Sequence, residues 1–155
     1  MPLEIERKFL LSSDQWKEEV SISYALRQGY LNSAPERTVR VRTRGERGML
    51  TIKGRGTGIT RPEFEYDIPH DEALVLLALC EPSIIEKVRY EVRRGPHVWE
   101  IDVFEGDNAG LVLAEIELRA EDDIFERPDW LGQEVSGDAR YFNSALARRP
   151  FGEWE

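Results

Sequence analysis

Three residues near the start of the chain could bind metal and phosphate together. In EIERK, residues 4–8, Glu4, Glu6 and Lys8 fall at every second position. Period-two spacing sends alternate side chains to opposite faces of a strand, so two carboxylates and one ammonium would share a face. Carboxylate oxygens suit a hard divalent ion, and an ammonium beside them suits a phosphate oxygen. The same pattern also describes an ordinary half-exposed strand with a solvated charged face. The rest of the chain weighs between the two.

The alternation recurs in six further segments. Arg40, Arg42 and Arg44 alternate with Val39, Val41 and Thr43, and Thr51, Lys53 and Arg55 with Leu50 and Ile52. Glu63, Glu65 and Asp67 alternate with Phe64, Tyr66 and Ile68, and Lys87, Arg89 and Glu91 with Val88, Tyr90 and Val92. Glu100 and Asp102 alternate with Trp99, Ile101 and Val103, and Glu115, Glu117 and Arg119 with Ala114, Ile116 and Leu118. A wet outer face would intersperse its signs. Here three strands are predominantly basic and three predominantly acidic, while the first carries both. Like charges stacked along one face repel, and a bound polyanion together with cations would offset that cost. If the charged faces turn inward, they line a polar tunnel. Its basic side would supply charge-assisted bonds to phosphate oxygens and its acidic side would hold divalent metal, the parts that phosphoryl transfer uses.

The elements that must position these residues follow from the same periodicity. Strands are expected at Leu3–Leu11, Ile22–Asn32, Arg37–Arg44, Met49–Arg55, Arg61–Pro69, Ile84–Arg94, His97–Glu105 and Leu111–Ala120. Short turns such as GERG (45–48) and GP (95–96) place most of them in hairpin order. Helical character is confined to Ser12–Val20, Asp71–Leu79 and the segment DARYFNSALARRP, 138–150. The chain is therefore mainly β, an antiparallel barrel or sandwich. Closing eight strands gives an interior about wide enough for side chains or one small ligand. The helices and loops must then cover the apolar outside. The glycines of GRGTG (54–58) lack a following lysine and helix, so this is a loop and not a phosphate-binding P-loop. The run 119–129, RAEDDIFERPD, is expected as a solvated connection.

Composition bounds the remaining choices. A chain of 155 residues suits a single domain spanning residues 1–155. Charged residues make up 33%, above the usual quarter, and the net charge of −9 argues against nucleic-acid or anionic-membrane partners. With Cys80 as the sole cysteine no internal disulfide can form, which fits a reducing compartment, and Cys80 is expected to pack rather than react. Two histidines, His70 and His97, leave no Cys/His zinc site, so any metal must be held by oxygen. No apolar run approaches the roughly 18 residues of a bilayer span, and the first residues lack a signal-peptide pattern. A cytoplasmic protein, monomeric or weakly dimeric, is expected.

EIERK resembles the ExExK signature of the CYTH superfamily, the triphosphate tunnel metalloenzymes. The resemblance continues through QGYL (28–31), RVR (40–42), TIKG (51–54), EFE (63–65), EKVRY (86–90), WEIDVF (99–104), LAEIEL (113–118) and RYFNSALA (140–147), in the family's order. It implies a closed eight-stranded antiparallel tunnel with a charged interior. It further implies hydrolysis or cyclisation of a triphosphate with Mg2+ or Mn2+, two ions per site. Carried over, Glu4, Glu6, Glu115 and Glu117 would ligate metal. Lys8, Arg40, Arg42, Lys53, Lys87, Arg89 and Arg140 would bind the triphosphate, and Lys8 would also assist the departing group. Glu63, Glu65, Glu100 and Asp102 match acidic tunnel positions, whose role is to support the ligands, hold a second metal or orient a basic neighbour. Tyr30 matches a family tyrosine that either packs or takes part in catalysis.

Inorganic tripolyphosphate is the expected substrate because the chain holds little beyond the tunnel. An organic triphosphate, as in thiamine triphosphatases or class IV adenylyl cyclases, would need apolar or aromatic surface at the mouth. Trp16, Trp130, Trp154 and Phe151 either form one or pack. A polyphosphate-binding module without turnover is the remaining alternative, and the presence of Glu4, Glu6, Lys8, Glu115 and Glu117 counts against it.

Overall fold

The structure, a computed structural model, describes residues 2–154. Among them nine strands form: β1 (Leu3–Leu11), β2 (Val20–Asn32), β3 (Arg37–Arg44), β4 (Arg47–Gly54), β5 (Thr60–Ile68), β6 (Ile85–Arg94), β7 (His97–Phe104), β8 (Val112–Glu117) and β9 (Leu131–Glu134). The order β5-β4-β3-β2-β6-β7-β8-β1 closes into a ring because β1 also pairs with β5. Every pairing is antiparallel. The expected eight-stranded barrel is present, with strand ends within three residues of those read from the sequence. The additional strand, β9, pairs with the end of β1 at Phe9–Leu11. Its four residues, LGQE, carry too short an alternation to be recognised in the chain.

The barrel is apolar outside and needs covering. Phe9, Val92, Trp99, Ile101, Ala114 and Ile116 face out from β1, β6, β7 and β8 and pack with Trp16 and Trp130. The 119–129 connection contributes here and is only partly solvated. Phe125 stands edge-on to Trp99, and Asp123 lies 3.1 Å from His97 Nε2 and accepts from Arg119. The helix α1 (His70–Ala78) covers β3 and β4 with Ala73 and Leu77 against Val41. Beyond α1 the chain lies on β2, where a Cβ on Gly29 would stand 2.8 Å from Cys80 Cβ and 2.7 Å from Ile84 Cδ1. Only glycine permits that approach, which accounts for the Gly of QGYL. Cys80 is partly buried and its thiol donates to the Leu76 carbonyl, a packing role.

A second apolar cluster closes one end of the lumen. Ile85, Phe104 and Leu113 share the inward alternation of Lys87, Asp102 and Glu115. They pack with Tyr30 and with Leu146 and Ala147 of α2 (Asn143–Arg148). Complete burial of one such Leu contributes about 1.5–3 kcal/mol. The helix expected over 138–150 is shorter than its pattern. A 3-10 turn at Ala139–Tyr141, capped by Asp138, precedes an extended Phe142 at φ −69°, ψ 136°, and only then does α2 begin. That break brings the Tyr141 carbonyl and the Phe142 ring over the lumen. Ser12–Val20 likewise forms only a 3-10 turn, Gln15–Glu19, because β2 takes Val20. No helix among the described residues is long and apolar enough to cross a membrane.

Candidate active site

The inward residues line a cavity of 310 Å³. Strand register sets their order around the wall. Glu6 stands opposite Glu117 and Lys8 opposite Glu115 across β1 and β8. Glu100 stands opposite Glu115, and Arg89 opposite Asp102, across β7. On the far side Arg40 faces Thr51, which faces Glu65, and Lys53 faces Glu63. Arg40, Arg42, Lys53, Arg89 and Lys8 reach the lumen, as do Glu4, Glu6, Glu63, Glu65, Glu100, Glu115 and Glu117. Twelve of the fifteen residues singled out from the sequence thus share one cavity.

Opposite charges are interlocked. Lys53 Nζ lies 2.5 Å from Glu4 Oε2 and 3.3 Å from Glu63, and Arg61 lies 3.9 Å from Glu4. Lys8 Nζ lies 3.5 Å from Glu115 Oε1 and donates to the Tyr141 carbonyl at 3.0 Å. Arg89 donates to both oxygens of Asp102 at 2.8 and 2.9 Å, to Glu100 at 3.2 Å, and lies 3.5 Å from Glu115. Arg42, which has no carboxylate partner among the described residues, donates to Gln28 Oε1 at 2.7 Å.

These contacts drive the carboxylates apart in acidity. Burial raises Glu4, but its hydrogen bond with Glu63 and the charges of Lys53 and Arg61 outweigh it and hold Glu4 well below the usual range. Burial and that same hydrogen bond push Glu63 up to about 7. Glu115 also resists burial and stays low, through Lys8, Arg89 and Lys87. Burial, Glu115 and Glu4 push Glu6 well up. Burial, Glu4 and Glu100 raise Glu117. Crowded cations show the converse: burial with Arg40 and Arg89 nearby lowers Arg42 to about 9.

Three expected site residues stand elsewhere. Arg140 is exposed and turned to Asp138 at 2.7 Å, so it does not join the cavity. The extended backbone at Phe142 brings Phe142, Asn143 and Ser144 to the lumen from that segment instead. Lys87 and Asp102 point inward but are sealed beneath the cavity, bonded to each other at 2.7 Å, because the apolar plug begins at the next inward position. Sequence reading missed Arg61, Tyr24 and Thr51. Thr51 stands in the ladder of Lys53, and Arg61 takes the inward position of β5 just before Glu63. Tyr24, whose hydroxyl donates to Glu91 at 2.6 Å, lies on the one strand without a charged face and gives no such signal. Tyr30 is buried against the plug and borders the cavity. Trp16 and Trp130 pack on the barrel's outside, and Trp154 and Phe151 on the plug's outer side.

The donor set fits a hard divalent cation. All its ligating atoms are carboxylate oxygens. Glu4 Oε2 is buried and receives no aimed hydrogen bond despite its close ion pair. Glu6 and Glu117 sit opposite each other with pKa values raised by burial and then by acidic neighbours, and a cation would relieve both costs. Among the described residues no three acidic side chains converge on a single point. Lys53, Lys8 and Arg89 engage Glu4 and Glu115, so ligation requires side-chain turns of these residues.

A second cavity, of 280 Å³, also reaches Glu4, Glu6 and Lys8. The loop at Gly54–Ile59, Pro35, Phe142, Ala145 and Arg148 form its walls.

A closed eight-stranded β-tunnel whose lumen carries facing acidic and basic walls defines the class. The CYTH domain profile matches residues 2–149, and the chain belongs to the CYTH family. It is 47% identical over 152 residues to an inorganic triphosphatase of Acetivibrio thermocellus, covering 97% of both chains. It is 37% identical over 148 residues to one from Nitrosomonas europaea, covering 93% of this chain and 96% of that one. A solved structure of an inorganic triphosphatase aligns with a TM-score of 0.66 at 36% identity, over 93% of this chain and 97% of that chain.

Proposed function

We propose that this chain, acting as one tunnel domain, hydrolyses inorganic tripolyphosphate to pyrophosphate and phosphate with a divalent metal, Mg2+ or Mn2+. The observation that carries this reading is the pairing of basic and acidic walls in one cavity, with twelve of fifteen expected residues present. The 47% identical relative, named an inorganic triphosphatase, supports the same substrate. In the reaction a water oxygen bonds to the terminal phosphorus, the anhydride P–O bond breaks, and pyrophosphate departs.

Arg40, Arg42, Arg89 and Lys53 bind phosphate oxygens and hold the chain in line. Their charges stabilise the negative charge that grows on the departing oxygen. Lys8, which pairs with Glu115 and donates to the Tyr141 carbonyl, assists the departing group. Glu4, Glu6, Glu115 and Glu117 would hold the metal, two ions per site. When bound there it supplies Lewis acidity and charge neutralisation.

The second cavity favours a second reading, in which an organic triphosphate lodges its organic part between the Gly54–Ile59 loop and α2. Phosphate release from tripolyphosphate, ATP and thiamine triphosphate, each with magnesium, decides. The first reading expects tripolyphosphate to have the highest kcat/KM, and a preference for either organic substrate overturns it.

A further inference from the structure

Three arginines, Arg40, Arg42 and Arg44, take alternate inward positions on β3, and all three line the cavity. Arg40 donates to Thr51 at 3.1 Å and Arg42 to Gln28 at 2.7 Å. Arg44 is held differently. It closes the β3–β4 hairpin directly opposite Arg47, and like charges so placed repel. Asp67, 2.9 Å away, offsets Arg47. Among the described residues no carboxylate pairs with Arg44 and no acceptor takes its N–H groups. Its guanidinium carbon instead lies over the Tyr24 ring, 3.5 Å from the ring centre, a stacked cation–π contact.

Tyr24 is itself fixed, because its hydroxyl donates to Glu91 Oε2 at 2.6 Å. Burial and that bond push the phenol up to about 12, so the ring stays neutral under the cation. Tyr24 and Tyr30 both line the cavity from β2. Tyr30 packs in the plug, so Tyr24 and Arg44 stand toward the opposite end of the lumen. Stacking occupies the face of a guanidinium and leaves its N–H edge for acceptors. We propose that Arg44 binds a phosphate oxygen of the substrate at the end of the lumen away from the plug, and that Tyr24 is the positioning residue that holds it there. This rests on the triphosphate reading for its ligand.

The test is a double-mutant cycle on Arg44→Ala and Tyr24→Leu. Tripolyphosphate affinity is measured by calorimetry in EDTA, and KM and kcat by phosphate release with magnesium. Arg44→Ala should weaken binding at least about 10-fold, the loss of one charge-assisted bond, and raise KM more than it lowers kcat. Tyr24→Leu should weaken binding about 5-fold through loss of the stack. The double variant should stay within about 2-fold of Arg44→Ala. Tyr24→Phe, which keeps the ring, should bind within about 2-fold of wild type. The Arg44→Ala loss should persist in about 1 M salt, where screening acts over about 3 Å. Equal binding by Arg44→Ala and wild type overturns the proposal. So does a loss that vanishes in salt, which makes Arg44 a distant attractor, or a cycle whose losses multiply, which makes Tyr24 act apart from Arg44. Wild type that binds tripolyphosphate without turnover would sink the triphosphatase reading alone, since the calorimetric cycle does not depend on hydrolysis. Wild type that does not bind it overturns both.

Discussion

Arg89→Met should cost far more stability than any surface charge. Asp102 has no exposed side-chain surface and Arg89 only 9%. The substitution removes two bonds from Asp102 and leaves its charge to Lys87, a base already lowered by burial. Breaking a buried pair by deleting one partner costs about 3–5 kcal/mol. With about 2.1 cal/mol/K of unfolding entropy per residue over 155 residues, that is a fall of about 9–15 °C in Tm. Arg89→Met with Asp102→Leu and Lys87→Met should recover most of it, because replacing the whole buried triad by apolar groups is close to neutral. Thermal unfolding by circular dichroism at pH 7 reads both. A single-variant loss of only 1–2 °C, or a triple variant worse than Arg89→Met, refutes the argument that the Asp102 charge depends on Arg89.

Other outcomes follow from the same geometry. Glu4→Gln, which removes a proposed ligand, should lower magnesium-dependent kcat/KM by at least about 100-fold, or 2.7 kcal/mol, with an unchanged circular dichroism spectrum. EDTA should abolish phosphate release while tripolyphosphate still raises Tm, by about 2.7 kcal/mol of stability at 100 times its dissociation constant. Lys87 binds its proton less tightly folded than unfolded, so the unfolded chain holds more protons between about 7 and the ordinary 10.5. Stability should therefore rise across that window, and Lys87→Met should remove the rise in denaturant-derived free energies. Arg140→Ala, exposed and outside the cavity, should leave KM for tripolyphosphate within about 2-fold of wild type.

The barrel and most of its lumen were legible because period-two alternation encodes which face a side chain takes. Glu4, Glu6 and Lys8 share a face by that spacing, and only the segregated charges of the other strands argued that the face turns inward. Alternation does not say how far along the tunnel the charged lumen extends. Lys87 and Arg89 look equivalent in EKVRY, yet the plug of Ile85, Phe104, Leu113 and Leu146 covers one and not the other. Ile85, Phe104 and Leu113 interrupt the charged ladders at inward positions, and that interruption was the available signal. Arg140, assigned by the resemblance, stands outside the cavity: the segment expected as one helix breaks at the extended Phe142, and the Arg140 guanidinium turns to Asp138. Tyr24 was missed because a strand with neutral lumen residues looks like any other strand.

The most direct test of the central account is tripolyphosphate hydrolysis by wild type, Glu4→Gln and Lys8→Ala, with magnesium, with manganese and with EDTA. The account predicts equal amounts of pyrophosphate and phosphate from wild type with metal, and almost none from either variant or in EDTA. Metal-independent release, or full activity in both variants, would contradict it.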